Sequence, residues 1–182
     1  SKEQKKALTE SLNNVVHTNF GTHHENNAII FYEEKTGNKV LKDGRYHKRE
    51  LFEYNGIKYY LGGKIDGYLE DKTIVEVKNR MYKLFGKLRN YEKTQIYAYL
   101  HIFNAKKAIL LEKLKKKVDS KINIIEIEYK EPVFNDIKQK LMKFAVFFEH
   151  FLGDVDLKTM LLFGNEEQIE MFTNYVFNKI NN

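Results

Sequence analysis

Cysteine is absent from the chain, which rules out a disulfide framework and any thiolate metal site and favours an intracellular home. Proline occurs once, at Pro132, and the glycines are scattered, so no obvious linker divides the 182 residues. Neither repeats nor low-complexity tracts are visible. Long apolar runs are missing too. The longest, Phe144 to Phe148, lies between Lys143 and Glu149 and is too short to span a bilayer. No secretory signal is visible. The chain opens on Ser1 without a methionine, as a fragment of a longer protein would. What is present is apolar material: a hydrophobic content of 42%, with Phe and Tyr at 14%, suits one domain with a sizeable core. The 31 basic residues against 25 acidic ones leave a net charge of +6, a weak lean toward a polyanionic partner.

Periodicity lays out the elements. Leu8, Leu12, Val15, Val16 and Phe20 recur at helical spacing, and that helix should end at Asn19 to Gly21. Thr22 and Glu25 fit a capping box for a second helix carrying Ala28, Ile29 and Tyr32, with Gly37 as its stop. Residues 38 to 48 read as irregular and basic. Arg49 to Tyr54 and Ile57 to Leu61 flank Asn55-Gly56, a strong hairpin signal. Lys64 to Leu69 and Thr73 to Lys78 extend this to an antiparallel meander of three or four strands. A helix is expected from about Tyr91 to Asn104, then strands at Lys107 to Leu114 and Asn123 to Tyr129, with Lys113 to Lys117 as a basic turn. Pro132 opens a helix with Ile137, Leu141, Phe144, Phe148 and Phe151 on one face; Gly153 interrupts it, and a last helix runs from about Glu166 to Ile180. The order implies α/β with a mixed sheet.

Within residues 57 to 80, strand alternation puts Glu76 and Lys78 on one face and Val75 and Val77 on the other. Hairpin register could bring Asp66 beside Glu76. Two carboxylates and an ammonium would then share one small volume, a place suited to a hard cation such as magnesium, which takes oxygen ligands. The same residues equally fit a surface ion pair of little energetic consequence. Past this strand, Lys78, Arg80, Lys83, Lys87, Arg89 and Lys93 are interrupted by Tyr82, Phe85 and Tyr91. Such a stretch offers phosphate contacts and rings that stack on unpaired bases, or else is a solvated loop with its aromatics turned inward.

Glu25 on an early helix, Asp66 before the Glu76-Val77-Lys78 strand, and Gln95 opening the next helix stand in an order that resembles the PD-(D/E)XK nuclease superfamily. The likeness is strongest to its lambda-exonuclease and YqaJ-type viral-recombinase branch, with the RecB-type nucleases nearby. It rests on GTHHENNAIIFYEEKTG, LGGKIDGY, TIVEVKNR and YEKTQIYAYLHIFNAKKAILLE, together roughly residues 20 to 112. Each motif is weakly specific; their joint order carries the resemblance. Ile65 stands where the family often has proline, and His23 and His24 do not match the spacing of the RecB-type histidine, so they read as solvent-facing or phosphate-contacting.

The resemblance implies a restriction-endonuclease-like core: a mixed central sheet flanked by helices. It implies a single nuclease domain over residues 1–182, with a core at about 20–130 and a C-terminal helical extension at about 132–182. Asp66 and Glu76 would bind one or two Mg2+ or Mn2+ ions, joined by the Val77 carbonyl and, directly or through water, by Glu25. Lys78 would position the attacking water, Gln95 would place the lysine or the phosphate, and Tyr99 would complete Q-x-x-x-Y on the same helix face. Arg80, Lys83, Lys87, Arg89 and Tyr99 would contact nucleic acid. The implied activity is metal-dependent hydrolysis of DNA phosphodiester bonds, as an exonuclease at DNA ends in recombination, repair or replication. A homo-oligomer and a single-strand annealing protein would be its associates. Other readings stay open: a structure-specific or RNA-directed endonuclease on this fold, a non-catalytic nucleic-acid-binding module, or a helical interaction domain. At single positions, Glu25 could merely cap its helix and Asp66 could be a turn residue. Gln95 and Tyr99 could be ordinary surface and core residues. His17 and the segment Lys42 to Arg49 are the only basic candidates for holding a terminal phosphate.

Overall fold

The computed structural model describes residues 25–114 and 122–181, which fall into two units. One unit takes in the chain up to Lys48 and Gly62–Tyr129; the other combines Arg49–Leu61 with Lys130 onward. The expected first helix, its end at Asn19 to Gly21, Thr22, His17, His23, His24 and most of the basic turn at Lys113 to Lys117 lie outside the described residues.

In the first unit, helix α1 (residues 25–36) stops at Gly37, whose φ of +73° suits a residue without a Cβ and whose N–H reaches the Glu33 carbonyl at 2.8 Å. Four strands follow: β3 (Gly67–Tyr68), β4 (Ile74–Arg80), β5 (Lys107–Leu114) and β6 (Ile122–Glu128), in the order β3-β4-β5-β6. The outer pairs are antiparallel, while β4 and β5 run parallel. A parallel pair needs a crossover, and here helix α2 (Asn90–Ile102) supplies it and packs on β4 and β5. The sheet is therefore mixed and covered on both faces. Val75, Val77, Ile109 and Leu111 point to one face and pack with Ala28, Ile29 and Tyr32 of α1 and with Val40 and Leu69. Ile74 and Leu110 point to the other, as do the fully buried Ile96 and Leu100 of α2 from across it. This is an α/β architecture of restriction-endonuclease-like type.

The expected continuous meander is not what forms. Strands β1 (His47–Tyr54) and β2 (Ile57–Gly63) make a separate two-stranded sheet around Asn55 and Gly56, both at positive φ (49° and 74°) as a two-residue hairpin loop requires. The free edge of β3 is occupied instead by the segment expected to be irregular: Leu41 and Tyr68 exchange both backbone bonds, at 2.8 and 2.9 Å. Only Gly67 and Tyr68 of the expected Lys64 to Leu69 strand pair with β4.

In the second unit, helix α3 (Glu131–Gly153) carries Pro132 in its first turn, and α5 (Glu166–Asn181) carries Ile169, Phe172 and Val176 on its less exposed side. Phe147 and Phe151 of α3 meet Phe172 at ring-centroid distances of 6.0 and 5.7 Å. Helix α4 (Val155–Phe163) is an addition to the expected set, started by Asp154, whose Oδ1 accepts from Leu157 N at 3.0 Å. Its apolar residues lie on all sides, so it has no helical stripe to read in the sequence. Glu149 of α3 accepts from Tyr59 Oη and, at 3.4 Å, from Asn55 Nδ2 of the hairpin loop. No helix among the described residues is long and apolar enough to cross a membrane.

Gly67 is held tightly between its neighbours: a Cβ there would meet Val40 Cγ1 at 2.5 Å and the Leu41 carbonyl oxygen at 3.0 Å. Gly67→Ala is expected to cost about 1–3 kcal/mol by overpacking, seen as a lower urea midpoint at unchanged slope. A midpoint equal to that of the wild type would mean that Leu41 and β3 do not pack this way.

Candidate active site

Alternation along β4 sends Ile74, Glu76, Lys78 and Arg80 to the face covered by α2. β3 pairs with β4 at Gly67↔Val75 and Tyr68↔Ile74, and Asp66 is the residue directly before it. β3 ends there, and the Asp66 carboxylate replaces a strand partner: Oδ2 accepts the Val77 N–H at 2.7 Å. A strand residue directs its N–H and C=O to the same edge, so the Val77 carbonyl also faces the Asp66 side.

Helix α2 supplies the remaining contacts. Glu92, three residues past the N-cap Arg89, accepts the Arg89 N–H at 3.1 Å and starts the helix. One turn on, Gln95 Nε2 donates to Glu76 Oε1 at 3.0 Å while Gln95 Oε1 accepts from Lys78 Nζ at 2.9 Å. Lys78 Nζ also donates to Glu76 Oε1 at 2.7 Å, closing a three-membered ring of contacts. Tyr99, four residues along the same face, lies 2.9 Å from Gln95 Nε2 through its hydroxyl. The surface ion-pair reading is excluded, since Glu76 is only 3% exposed.

Burial pushes the Glu76 carboxyl up to about 7, the Asp66 charge adding to the rise and Lys78 opposing it. Burial likewise raises Asp66, against the pull of the Val77 N–H and Lys78. Glu25, at the start of the described part of α1, is raised by burial and then by the charge of Asp66. The charge of Lys42, which donates to Asn26 Oδ1, acts on both Glu25 and Asp66. Burial alone would lower Lys78, but Glu76 and Asp66 outweigh it and leave the ammonium raised.

No three His, Cys, Asp or Glu side chains among the described residues form a cluster that could by itself hold an ion. The oxygen donors present nevertheless fit a hard cation. Glu76 Oε2 is buried and has no hydrogen-bond partner, Asp66 is bonded to the next residue on β4 and its charge acts on Glu76, and burial disfavours both charges.

The basic connection needs one correction. Arg80, expected to contact nucleic acid, is 7% exposed and bound between two fully buried acids. Its Nη1 lies 2.6 Å from Glu92 Oε1, and its Nε and Nη2 lie 2.8 and 2.6 Å from Glu112 Oε1. Arg80 shares strand parity with Glu76 and Lys78, a signal available in the sequence; the partner Glu112, on a strand 32 residues on, was not foreseeable. Lys83, Lys87 and Arg89 are exposed, with the Arg89 guanidinium over the rings of Phe85 and Tyr91 at 4.7 and 4.8 Å. Tyr99 is half-buried against Gln95. Of the basic segment Lys42 to Arg49, Arg45 and His47 are bound to Asp43.

No protein-family model matches the chain, and no curated protein matches it in sequence. Among solved structures, it is similar to an alkaline exonuclease from Laribacter hongkongensis, with a TM-score of 0.59 and 17% identity over 78% of this chain and 73% of that one. It also matches the crystal structure of SSO0001, with a TM-score of 0.48 and 18% identity over 68% of this chain and 57% of that one. The chain thus spans little more than half the length of SSO0001. At such identities the likeness to the exonuclease is one of fold.

The raised carboxyls have a signed consequence for stability. In the folded state Glu76 holds its proton up to about pH 7, above the ordinary 4.5. Its contribution is therefore fully present below about pH 4.5 and is lost as pH rises through about 7. Metal-free protein is expected to lose thermal stability between pH 5 and 8, and Glu76→Gln to flatten that slope. An equally steep slope in the variant would remove Glu76 as its source.

Proposed function

We propose that the chain is a metal-dependent nuclease of the PD-(D/E)XK type that hydrolyses DNA phosphodiester bonds, acting at DNA ends. The observation that carries this reading is the bonded set of Glu76, Lys78 and Gln95 beside Asp66, with one Glu76 oxygen buried and unpartnered. The fold likeness to an alkaline exonuclease supports it. Asp66, Glu76 and the Val77 carbonyl are the residues that would hold Mg2+ or Mn2+, with Glu25 directly or through water. When bound, such an ion lowers the pKa of a coordinated water and stabilises charge at the phosphate.

The chain's own residues do the rest. An ammonium has three N–H donors; Lys78 commits one to Glu76 Oε1 and one to Gln95 Oε1, which leaves a third for the attacking water or a phosphoryl oxygen. Gln95 clamps both partners of that ion pair and so fixes the direction of the third N–H. Water oxygen bonds to phosphorus as the bond to the leaving ribose oxygen breaks, and the proton released by the water ends on that oxygen. Lys83, Lys87 and Arg89 provide sequence-independent contacts to the backbone. On this reading a homo-oligomer and a single-strand annealing protein are the expected associates, in recombination, repair or replication.

The test is cleavage of end-labelled linear and closed circular DNA with magnesium, manganese or chelator. Loss of linear DNA alone is expected, abolished by chelator and slowed about 10²–10³-fold or more in Lys78→Ala. Nicked circles would instead indicate an endonuclease, and binding without cleavage in any metal would overturn the enzymatic reading. A separate measurement addresses the loop. Replacing Lys83 and Lys87 together by alanine should lower the slope of log affinity against log salt by about 2 on duplex DNA. An unchanged slope would take these two lysines out of the binding footprint.

A further inference from the structure

Residues 81–89 join two properties that a solvated connection does not need to combine: an inner side locked by buried charge and an outer side carrying a bare aromatic ring. On the inner side, Glu112 Oε2 accepts the N–H groups of Phe85 and Gly86 at 3.2 and 2.8 Å and the Asn123 amide at 3.3 Å. Glu112 Oε1 binds Arg80, and both side chains are buried. Gly86 adopts the φ of +66° that turns the loop back, and Phe85 lies beneath the guanidinium groups of Arg80 and Arg89, at 4.8 and 4.7 Å. Two successive loop amides are anchored to one buried side chain of β5, which leaves the backbone at residues 85 and 86 a single bonded arrangement. The turn of the loop is thus set in place before any ligand arrives.

On the outer side Tyr82 is 85% exposed, next to Met81 at 50%, and is followed along the loop by the exposed Lys83 and Lys87. It follows Lys78 by four residues as β4 leaves the candidate site. The aromatics of the loop therefore divide: Phe85 is spent on holding the backbone and Tyr82 is presented.

We infer that this loop is a preformed stacking platform, with Tyr82 as its base-stacking residue, and that the nucleic acid it selects has unpaired nucleotides at the site. The inference rests on the nuclease reading for the nature of its ligand. Inside a duplex the base faces stack on each other and only their edges are open, so an exposed ring gains contact only with an unpaired or terminal base. Lysines alone would not discriminate, since phosphates are present on either form. A loop already in its binding conformation loses little freedom on binding, which lets one ring count.

The experiment measures binding in chelator, where no cleavage occurs, to a single-stranded oligonucleotide containing 2-aminopurine and to a blunt duplex of the same sequence. Tyr82→Ala is expected to weaken single-strand binding by about 5- to 150-fold and to relieve the fluorescence quenching of the stacked base. Tyr82→Phe restores both, and duplex affinity changes less than twofold. Equal losses on the two ligands, or no loss on either, overturn the platform. Cleavage assays on the same proteins separate the two readings. Metal-dependent cleavage with Tyr82-independent binding sinks the platform alone. Absence of cleavage with Tyr82-dependent single-strand binding sinks the nuclease reading and leaves the platform standing.

Discussion

A carboxylate held out of water needs a cation or must keep its proton, and β4 buries Glu76 where Asp66 also presses on it. Lys78 meets half of that demand, through one oxygen. The other oxygen is buried without a hydrogen-bond partner. Much of the first unit serves to keep this imbalance in place: the end of β3 brings Asp66 up, the parallel β4–β5 pair makes the strand rigid, and α2 closes over it with Gln95.

A second charged cluster supports the first from two residues away. Arg80 joins Glu92, which starts α2, to Glu112 on β5, so one guanidinium ties the strand carrying Glu76 and Lys78 to the helix carrying Gln95. Glu112 then passes the same constraint on to the loop amides of Phe85 and Gly86. The two clusters differ in a telling way. In the arginine cluster two acids share one cation that they fully enclose, whereas in the lysine cluster Lys78 remains partly open to solvent. An enclosed cluster holds shape; an open one can exchange partners.

Most elements were legible because they obey simple rules. Asn55-Gly56 announces a hairpin, Gly37 a helix stop, Pro132 a helix start, alternation marks β4, a short apolar run marks β5, and helical spacing marks α2 and α5. Helix α4 escaped because it is apolar on every side, and the pairing of Leu41 with Tyr68 escaped because a single bridged residue has no period at all. At the site, Asp66, Glu76, Lys78 and Gln95 were nominated by order along the chain; Glu76, Lys78 and Gln95 lie within one connected set of contacts, and Asp66 bonds to the Val77 N–H between two of them. Arg80 shows the limit of that approach. Its type and its basic neighbours point to solvent, and two acids distant in sequence draw it inward.

By itself the sequence determined most of the elements and which side chains of β4 and α2 share a face, because helix and strand periods, caps and turn residues act over only a few positions. Only the tertiary structure decided which strand edge β3 would use, which of the basic residues would be buried, and whether Asp66 and Glu76 would meet. Those outcomes depend on partners 11 and 32 residues apart, Val77 with Asp66 and Arg80 with Glu112, whose polar groups must be desolvated together before either contact is worth making.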